Sequence, residues 1–136
     1  MTYVMTDAHR YTETISDAGE ASTVFDDNVF SIAPFGGAGR SLWFAPSGGE
    51  DQLRVDIDFE ADRAKVTWLP DHAYGVELAP GEPITVMWYI DADVITIPGE
   101  LARVSTATAR RAVVEYVATG ERPTCVSWEP EPPGAA

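Results

Sequence analysis

The chain has 136 residues, 45% of them hydrophobic, one cysteine, and a formal net charge of −13 from 22 acidic and 9 basic side chains. This length and composition fit one globular domain, and a single cysteine excludes an internal disulfide. The negative charge argues against nucleic acid or an anionic membrane as a partner and favours a basic protein surface.

The N-terminal region lacks the basic segment followed by an apolar segment that a signal peptide would have, and no apolar run is long enough to cross a membrane. We therefore expect a cytoplasmic protein without a transmembrane helix. Residues 1–128 are predicted to form a single domain. Residues 129–136 are rich in proline and acidic side chains, so we expect a disordered tail there.

The N-terminal part of the chain contains only weak signals. Residues 2–6 are compatible with a strand. Residues 16–25 are compatible with a short helix, in which Asp17 and Glu20 have the spacing of a capping box. A short apolar run follows at residues 42–44.

The middle of the chain predicts a hairpin. Polar and apolar residues alternate over residues 52–60 and again over residues 63–68, which is typical of half-buried strands. A two-residue turn at Ala61-Asp62 would place Asp58 opposite Lys65, and such opposite-charge pairs stabilise a hairpin. The apolar positions expected on the buried face are Leu53, Val55, Ile57, Phe59, Ala64, Val66 and Trp68.

Three further strands are predicted toward the C-terminus. Residues 84–90 are apolar on both faces and predict a central strand. After a turn at residues 91–93, residues 94–97 are expected to be its hairpin partner. Residues 124–128 predict a last short strand.

The strongest helix prediction covers residues 106–119. Ser105 is a suitable N-cap, Gly120 has the position of a C-terminal glycine, and Pro123 prevents continuation. The apolar stripe expected to face the sheet consists of Ala109, Ala112, Val113, Tyr116 and Val117. We therefore predict an α+β fold, in which an antiparallel sheet of about five to six strands is packed by this C-terminal helix and by a weaker N-terminal helix.

The groups that common catalytic and metal sites need are mostly missing. The only histidines are His9 and His72, and Cys125 is the only cysteine, so no zinc-ligand pattern is present. The glycine-rich run at residues 36–39 lacks the lysine and the helix of a phosphate loop. We expect no catalytic residue, no metal and no cofactor in this chain.

Two acidic pairs, Asp56 with Asp58 and Asp91 with Asp93, could in principle bind a cation or transfer protons. Two carboxylates without further oxygen ligands make a poor calcium site. An enzyme built from carboxylates alone therefore stays a minor alternative, to be recognised by turnover.

Four tryptophans are present in this short chain. We expect them in the core. The alternative is that one or two of them anchor a partner, because an indole supplies a large contact area. They are Trp43, Trp68, Trp88 and Trp128.

The C-terminal stretch, residues 109–128, resembles the end of Imm1-type bacterial immunity proteins. The resemblance rests on an amphipathic helix, then Thr119-Gly120-x-Arg122-Pro123, then a short strand ending in Trp128. It extends less clearly to the hairpin segments between residues 53 and 90. It implies an antitoxin of a polymorphic toxin system, whose partners in this family include nucleic-acid deaminase toxin domains, and it offers no catalytic residues.

Resemblance and charge together predict an immunity protein that forms a 1:1 complex with a toxin domain and occludes its basic substrate cleft. The residues expected to contact the toxin are Asp71, His72, Tyr74, Glu77, Asp91 and Asp93. One alternative is a secretion adaptor or chaperone, which would not rescue cells from the isolated toxin. A nuclease rather than a deaminase as the toxin is another.

Overall fold

The computed structural model describes residues 1–8, 10–30, 39–87 and 94–133, except for the side chain of Phe30. Its elements form an α+β fold, as predicted. In chain order they are β1 (Tyr3–Asp7), β2 (Thr12–Ile15), α1 (Ala18–Phe30), β3 (Gly39–Pro46), β4 (Leu53–Asp58), β5 (Arg63–Trp68), a 3₁₀ turn (Leu69–Asp71), β6 (Ala73–Val76), β7 (Ile84–Met87), β8 (Val94–Ile97), α2 (Thr106–Thr119) and β9 (Ser127–Pro130).

The strands of the described residues form one largely antiparallel sheet with the order β2-β1-β3-β4-β5-β6-β9. Strand β7 joins it beside β3 in parallel, and β8 pairs with β7. The sheet thus has nine strands instead of five to six. The strands that the sequence did not predict are β2, β3 and β6. Strand β2 exposes three of its residues and β3 buries neighbouring ones, so neither shows regular alternation.

Helix α2 begins and ends where the sequence predicts. The Ser105 hydroxyl accepts a hydrogen bond from the Thr108 backbone N–H at 3.2 Å. At the other end, Gly120 has a φ of 72°, and its N–H donates to the Tyr116 carbonyl oxygen. The whole predicted apolar stripe is buried.

Helix α1 is longer than the predicted segment but starts with the predicted cap. The Glu20 backbone N–H donates to Asp17 Oδ1 at 2.8 Å, and the Ser16 N–H donates to Glu20 Oε1 at 3.0 Å. The first bond satisfies a backbone donor that the first helical turn leaves without a partner, and the second ties Glu20 back to the backbone just before the helix.

The main core lies between the two helices and one face of the sheet. At its centre the ring of Tyr116 is fully buried and meets Tyr3 and Trp68 edge-on, with ring centroids 5.1 and 5.7 Å away. The Tyr116 hydroxyl donates to Gln52 Oε1 at 2.7 Å, so its polar atom is paired. Aromatic burial of this kind holds α2 on the sheet.

The central hairpin forms, but the predicted register is wrong by two residues. Asp58 pairs with Arg63, and Asp56 pairs with Lys65. The turn is longer than predicted because Asp62 adopts a φ of 53° and donates its N–H to the Phe59 carbonyl oxygen. A shift by two keeps each strand's faces, since side chains alternate with a period of two.

Two residues of this hairpin differ from the predicted burial. Phe59, expected on the buried face, lies in the turn and is 49% exposed. Asp56, on the face expected to be polar and solvated, is 0% exposed. Part of that face is covered, because Tyr74 of β6 packs there with Ile84 and Val86 of β7.

The C-terminal strand β9 ends two residues later than the predicted domain boundary at residue 128. It pairs with β6, so that Tyr74 lies opposite Glu129 and Ala73 opposite Pro130. Glu131 then forms an ion pair with Lys65 at 3.2 Å. The first residues of the predicted tail therefore contact the sheet. Residues 134–136 lie outside the described ranges.

Candidate functional site

The exposed surface carries most of the acidic side chains and few of the basic ones. In the described ranges, fourteen exposed residues are acidic, and three, Arg10, Arg111 and Arg122, are basic. The exposed acidic residues are Glu13, Asp17, Glu20, Asp27, Glu50, Asp51, Glu60, Asp62, Asp71, Glu77, Glu82, Glu100, Glu121 and Glu129. The solvent-facing field is therefore strongly negative.

Four of the other cations are used within the fold, and they are Arg54, Arg63, Lys65 and Arg103. Arg110 instead forms a partly exposed ion pair with Asp26. Lys65 is 1% exposed and bound to Glu131. The Arg54 guanidinium lies 3.1 Å from Asp56 Oδ1 and against the Trp43 ring, 5.2 Å from its centroid. These positive charges stabilise internal carboxylates and contribute little to the outer surface.

Two further arginines bind backbone instead of carboxylates. Arg63 donates to the carbonyl oxygens of Ala79 and Ala102, at 3.0 and 2.9 Å. Arg103 donates to the Leu78 carbonyl oxygen. Both hold the connection between β6 and β7 against the segment that precedes α2. Their role is structural, so they do not form a basic surface.

Of the predicted contact residues that the structure describes, the exposed ones lie at the two ends of strand β6. Asp71 and His72 are exposed before β6, where Asp71 forms an ion pair with Arg122 at 3.2 Å. Glu77 is exposed just after β6, at the opposite end of that strand. Four strand residues separate these ends, a distance of about 13 Å. The other two predicted residues, Asp91 and Asp93, lie outside the described residues.

Tyr74 lies between those ends and is buried, 8% exposed. Its hydroxyl donates to Glu129 Oε2 at 3.3 Å. Burial, together with the neighbouring Glu129 carboxylate, raises the pKa of the Tyr74 hydroxyl. Tyr74 thus ties β6 to β9. The sequence does not predict strand β6, because its four residues are too few to show a periodicity.

Glu77 holds the N-terminus of α2. Its carboxylate accepts hydrogen bonds from the Ser105 N–H at 2.9 Å and from the Thr108 hydroxyl at 2.6 Å. Desolvation opposes the charged form, but these hydrogen bonds and the charge of Arg111 outweigh it, so the pKa of Glu77 is lowered. The carboxylate stays ionised and remains exposed to a partner.

The acidic turn between β4 and β5 was not among the contact residues expected from the sequence. The β4–β5 turn places the exposed side chains of Phe59, Glu60 and Asp62 together, with Asp58 half-buried beside them. Asp62 also accepts the Thr106 N–H at 3.0 Å, next to the Glu77 contacts on α2. The sequence signal was an aromatic residue among acids, but the alternation over residues 52–60 predicts Phe59 to lie on the buried face.

In the described ranges, three features would indicate a different kind of function: a metal site, a reactive thiol or a membrane-spanning helix. No group of three or more histidine, cysteine or carboxylate side chains there could hold a metal ion. Cys125 is half-buried, and burial, with Glu115 nearby, raises the pKa of its thiol. A thiol with a raised pKa is a poor nucleophile at neutral pH. No described helix has the length and apolar content to cross a membrane.

Fold and surface define a small acidic α+β domain whose exposed groups suit contact with a basic macromolecule. The family model described as Immunity protein Imm1 matches residues 40–130, from β3 to the end of β9, and the chain belongs to this family. The resemblance seen in the sequence is confirmed, and the role of the chain is that of an immunity protein with a cognate toxin as partner. No curated protein matches the chain in sequence.

Proposed function

We propose that this immunity protein inhibits a nucleic-acid-targeting toxin by laying its acidic surface over the toxin's basic substrate cleft. The observation that carries the proposal is the division of charge: exposed carboxylates greatly outnumber exposed cations, while four of the cations are used within the fold.

The physical argument is complementarity. An enzyme that holds DNA or RNA needs a basic groove for the phosphates. A surface rich in carboxylates competes for that groove and speeds encounter, because opposite potentials raise association rates to about 10⁸–10⁹ M⁻¹s⁻¹ at low salt. Fast capture protects a cell in which the toxin can act as soon as it folds.

A deaminase is the toxin class we propose. Its support is the family resemblance at residues 109–128, since Imm1-type proteins are associated with deaminase toxins. We further propose that the chain acts in the cytoplasm of the producing cell, without catalysis, as one partner of a 1:1 complex. The predicted contact residues are kept as part of this proposal, and Asp71, His72 and Glu77 are the exposed ones among those described.

The test is inhibition of the toxin domain encoded next to this chain. Deamination of single-stranded DNA and RNA by that purified domain is followed with increasing amounts of the immunity protein. We expect loss of activity at an equimolar ratio and an association rate that falls steeply as salt is added. A folded chain that neither binds nor inhibits this domain would contradict the proposal.

The matched control separates occlusion from destabilisation of the toxin. The thermal unfolding of the toxin domain is measured in the complex. We expect it to rise, because a ligand that binds the folded state stabilises it. Inhibition with a lowered unfolding temperature would instead indicate an unfolding mechanism. Turnover of a small molecule by the chain alone would favour the enzyme alternative.

A further inference from the structure

The described part of the sheet has an unprotected edge at β8. This strand pairs with β7 on one side, and no described strand pairs with its other side. Its residues, Val94, Ile95, Thr96 and Ile97, are all β-branched, and none is charged. β-branched residues favour an extended backbone, so the outer N–H and C=O groups are held in the geometry for pairing.

The two terminal strands of the main sheet differ from β8. Strand β9 contains Glu129 and Pro130, and β2 contains Glu13. Charge and proline are the usual means by which proteins prevent further strands from adding to an edge. Among the described strands that have one side unpaired, β8 differs from β2 and β9 in containing no acidic residue.

Strand β8 packs against the fold with one face and exposes the other. Ile97 is buried with Ile84 and Leu101 in the second apolar cluster. Val94 is 51% exposed, and Thr96 is exposed as well. An edge held in place before binding costs little entropy when a partner strand adds to it.

We propose that the outer edge of β8 receives an extended, basic segment of the toxin by strand addition. This inference rests on the proposed function and names the surface that the toxin uses. Backbone hydrogen bonds would fix the register, and side chains on alternate positions of the added strand would be selected by the exposed face of β8.

Charge decides between the possible occupants. Ile84 pairs with Ile97, and beyond this pair the Gly81 N–H donates to the Gly99 carbonyl oxygen, so the exposed Glu82 and Glu100 lie at the same end of the hairpin. A second copy of the chain would bring a further −13 charge to this edge and be repelled. A basic segment would be attracted by both glutamates.

The experiment is amide hydrogen exchange of the full chain, alone and with the toxin domain. We expect exchange of those amides in residues 94–97 that do not already bond to β7 to slow at least about tenfold in the complex, since amides that join a ladder exchange only on opening. Thr96→Arg should weaken toxin binding by about tenfold or more, because it sets a cation against a basic segment. Thr14→Arg, an exposed threonine on β2 with the same charge change, is the matched control and should weaken it far less.

The outcomes separate this inference from the proposed function. Toxin binding with unchanged exchange at residues 94–97, or equal effects of the two arginine variants, would overturn strand addition at β8 and leave the inhibitory role intact. Protection of these amides that grows with the concentration of the free chain would show a second copy on the edge and also overturn it. Absence of any binding would overturn both proposals.

Discussion

The Thr108 hydroxyl, in the first turn of α2, donates a 2.6 Å hydrogen bond to Glu77 Oε2. This bond holds the Glu77 carboxylate, which directly follows β6, against the start of the helix. The Ser105 N–H donates to the other oxygen of the same carboxylate. A side chain that faces solvent, and that we predict to face the toxin, is therefore also the link between sheet and helix. Changes at Glu77 must be tested for stability before they are tested for binding.

Glu77→Gln is expected to destabilise the fold by about 1 kcal/mol, the usual contribution of a helix N-terminal contact. Because the pKa of Glu77 is lowered in the folded state, its stabilisation is complete above the carboxyl's unfolded pKa. It is lost as the pH falls through the lowered folded value. Urea unfolding of the two proteins should thus differ at neutral pH and converge in acid.

The matched control for that comparison is Glu82→Gln, which removes another exposed carboxylate, one with no hydrogen bond or ion pair to α2 among the described residues. Its unfolding midpoint should stay close to that of the native chain at every pH. Equal midpoints for the native chain and Glu77→Gln at neutral pH would mean that the carboxylate contributes nothing to helix α2.

Asp56 is expected to be the most sensitive acidic residue of the sheet. It is fully buried, and Oδ1 accepts hydrogen bonds from the Ser41 hydroxyl at 2.6 Å and from Arg54 Nε at 3.1 Å. Asp56→Ala should cost about 3 kcal/mol or more, since it leaves a buried guanidinium without its counter-ion. Asp58→Ala, two residues along the same strand and half-buried, should cost less than about 1 kcal/mol. Similar unfolding free energies for the two variants would argue against a buried pair.

The parts of the fold that the sequence predicts well are those fixed by local signals. For α2, a capping serine, an apolar stripe and a terminal glycine lie within the helix or next to it, and the predicted bounds agree with the structure. The hairpin register was missed because it depends on the left-handed backbone of Asp62, which a residue with a side chain adopts only in context.

Features that depend on distant segments could not be predicted in the same way. Asp56 is fully buried beside Ser41, which lies 15 positions away on β3, and nothing near Asp56 in sequence indicates this burial. The candidate site shows the same limit. Asp71 and Glu77 are close in sequence, but strand β6 places them at opposite ends. Conversely, Asp62 and Glu77 come together on the N-terminus of α2.

Gly120 is expected to tolerate no side chain. Its φ is 72°, and a Cβ there would lie 2.7 Å from the Tyr3 hydroxyl oxygen, whose ring is buried. Gly120→Ala should therefore lower the free energy of unfolding by about 1–2 kcal/mol for the backbone alone, with the steric contact adding to it. Gly49→Ala is the control, because a Cβ there meets Pro46 at an ordinary 3.4 Å. A Gly120→Ala melting temperature equal to that of this control would contradict the expectation.

Substitution of Asp71 can distinguish a direct contact with the toxin from the long-range attraction that the net charge of the chain produces. Its ion pair with Arg122 joins two side chains that are 57% and 46% exposed, so Asp71→Asn should change stability by less than about 1 kcal/mol. Glu121→Gln is the matched control, since it removes the same charge from another exposed residue. Both variants should slow association with the toxin to a similar extent, because long-range attraction depends on net charge.

Dissociation is the decisive measurement for Asp71. If it touches the toxin, Asp71→Asn should speed dissociation by about tenfold, whereas Glu121→Gln should leave it nearly unchanged, because contacts made in the complex act mainly on the dissociation rate. Arg122 would strengthen the effect, since it then presents a cation without a partner carboxylate to a basic surface. Equal dissociation rates for the two variants would place Asp71 outside the interface. Asp71 would then contribute only to the long-range attraction that speeds association.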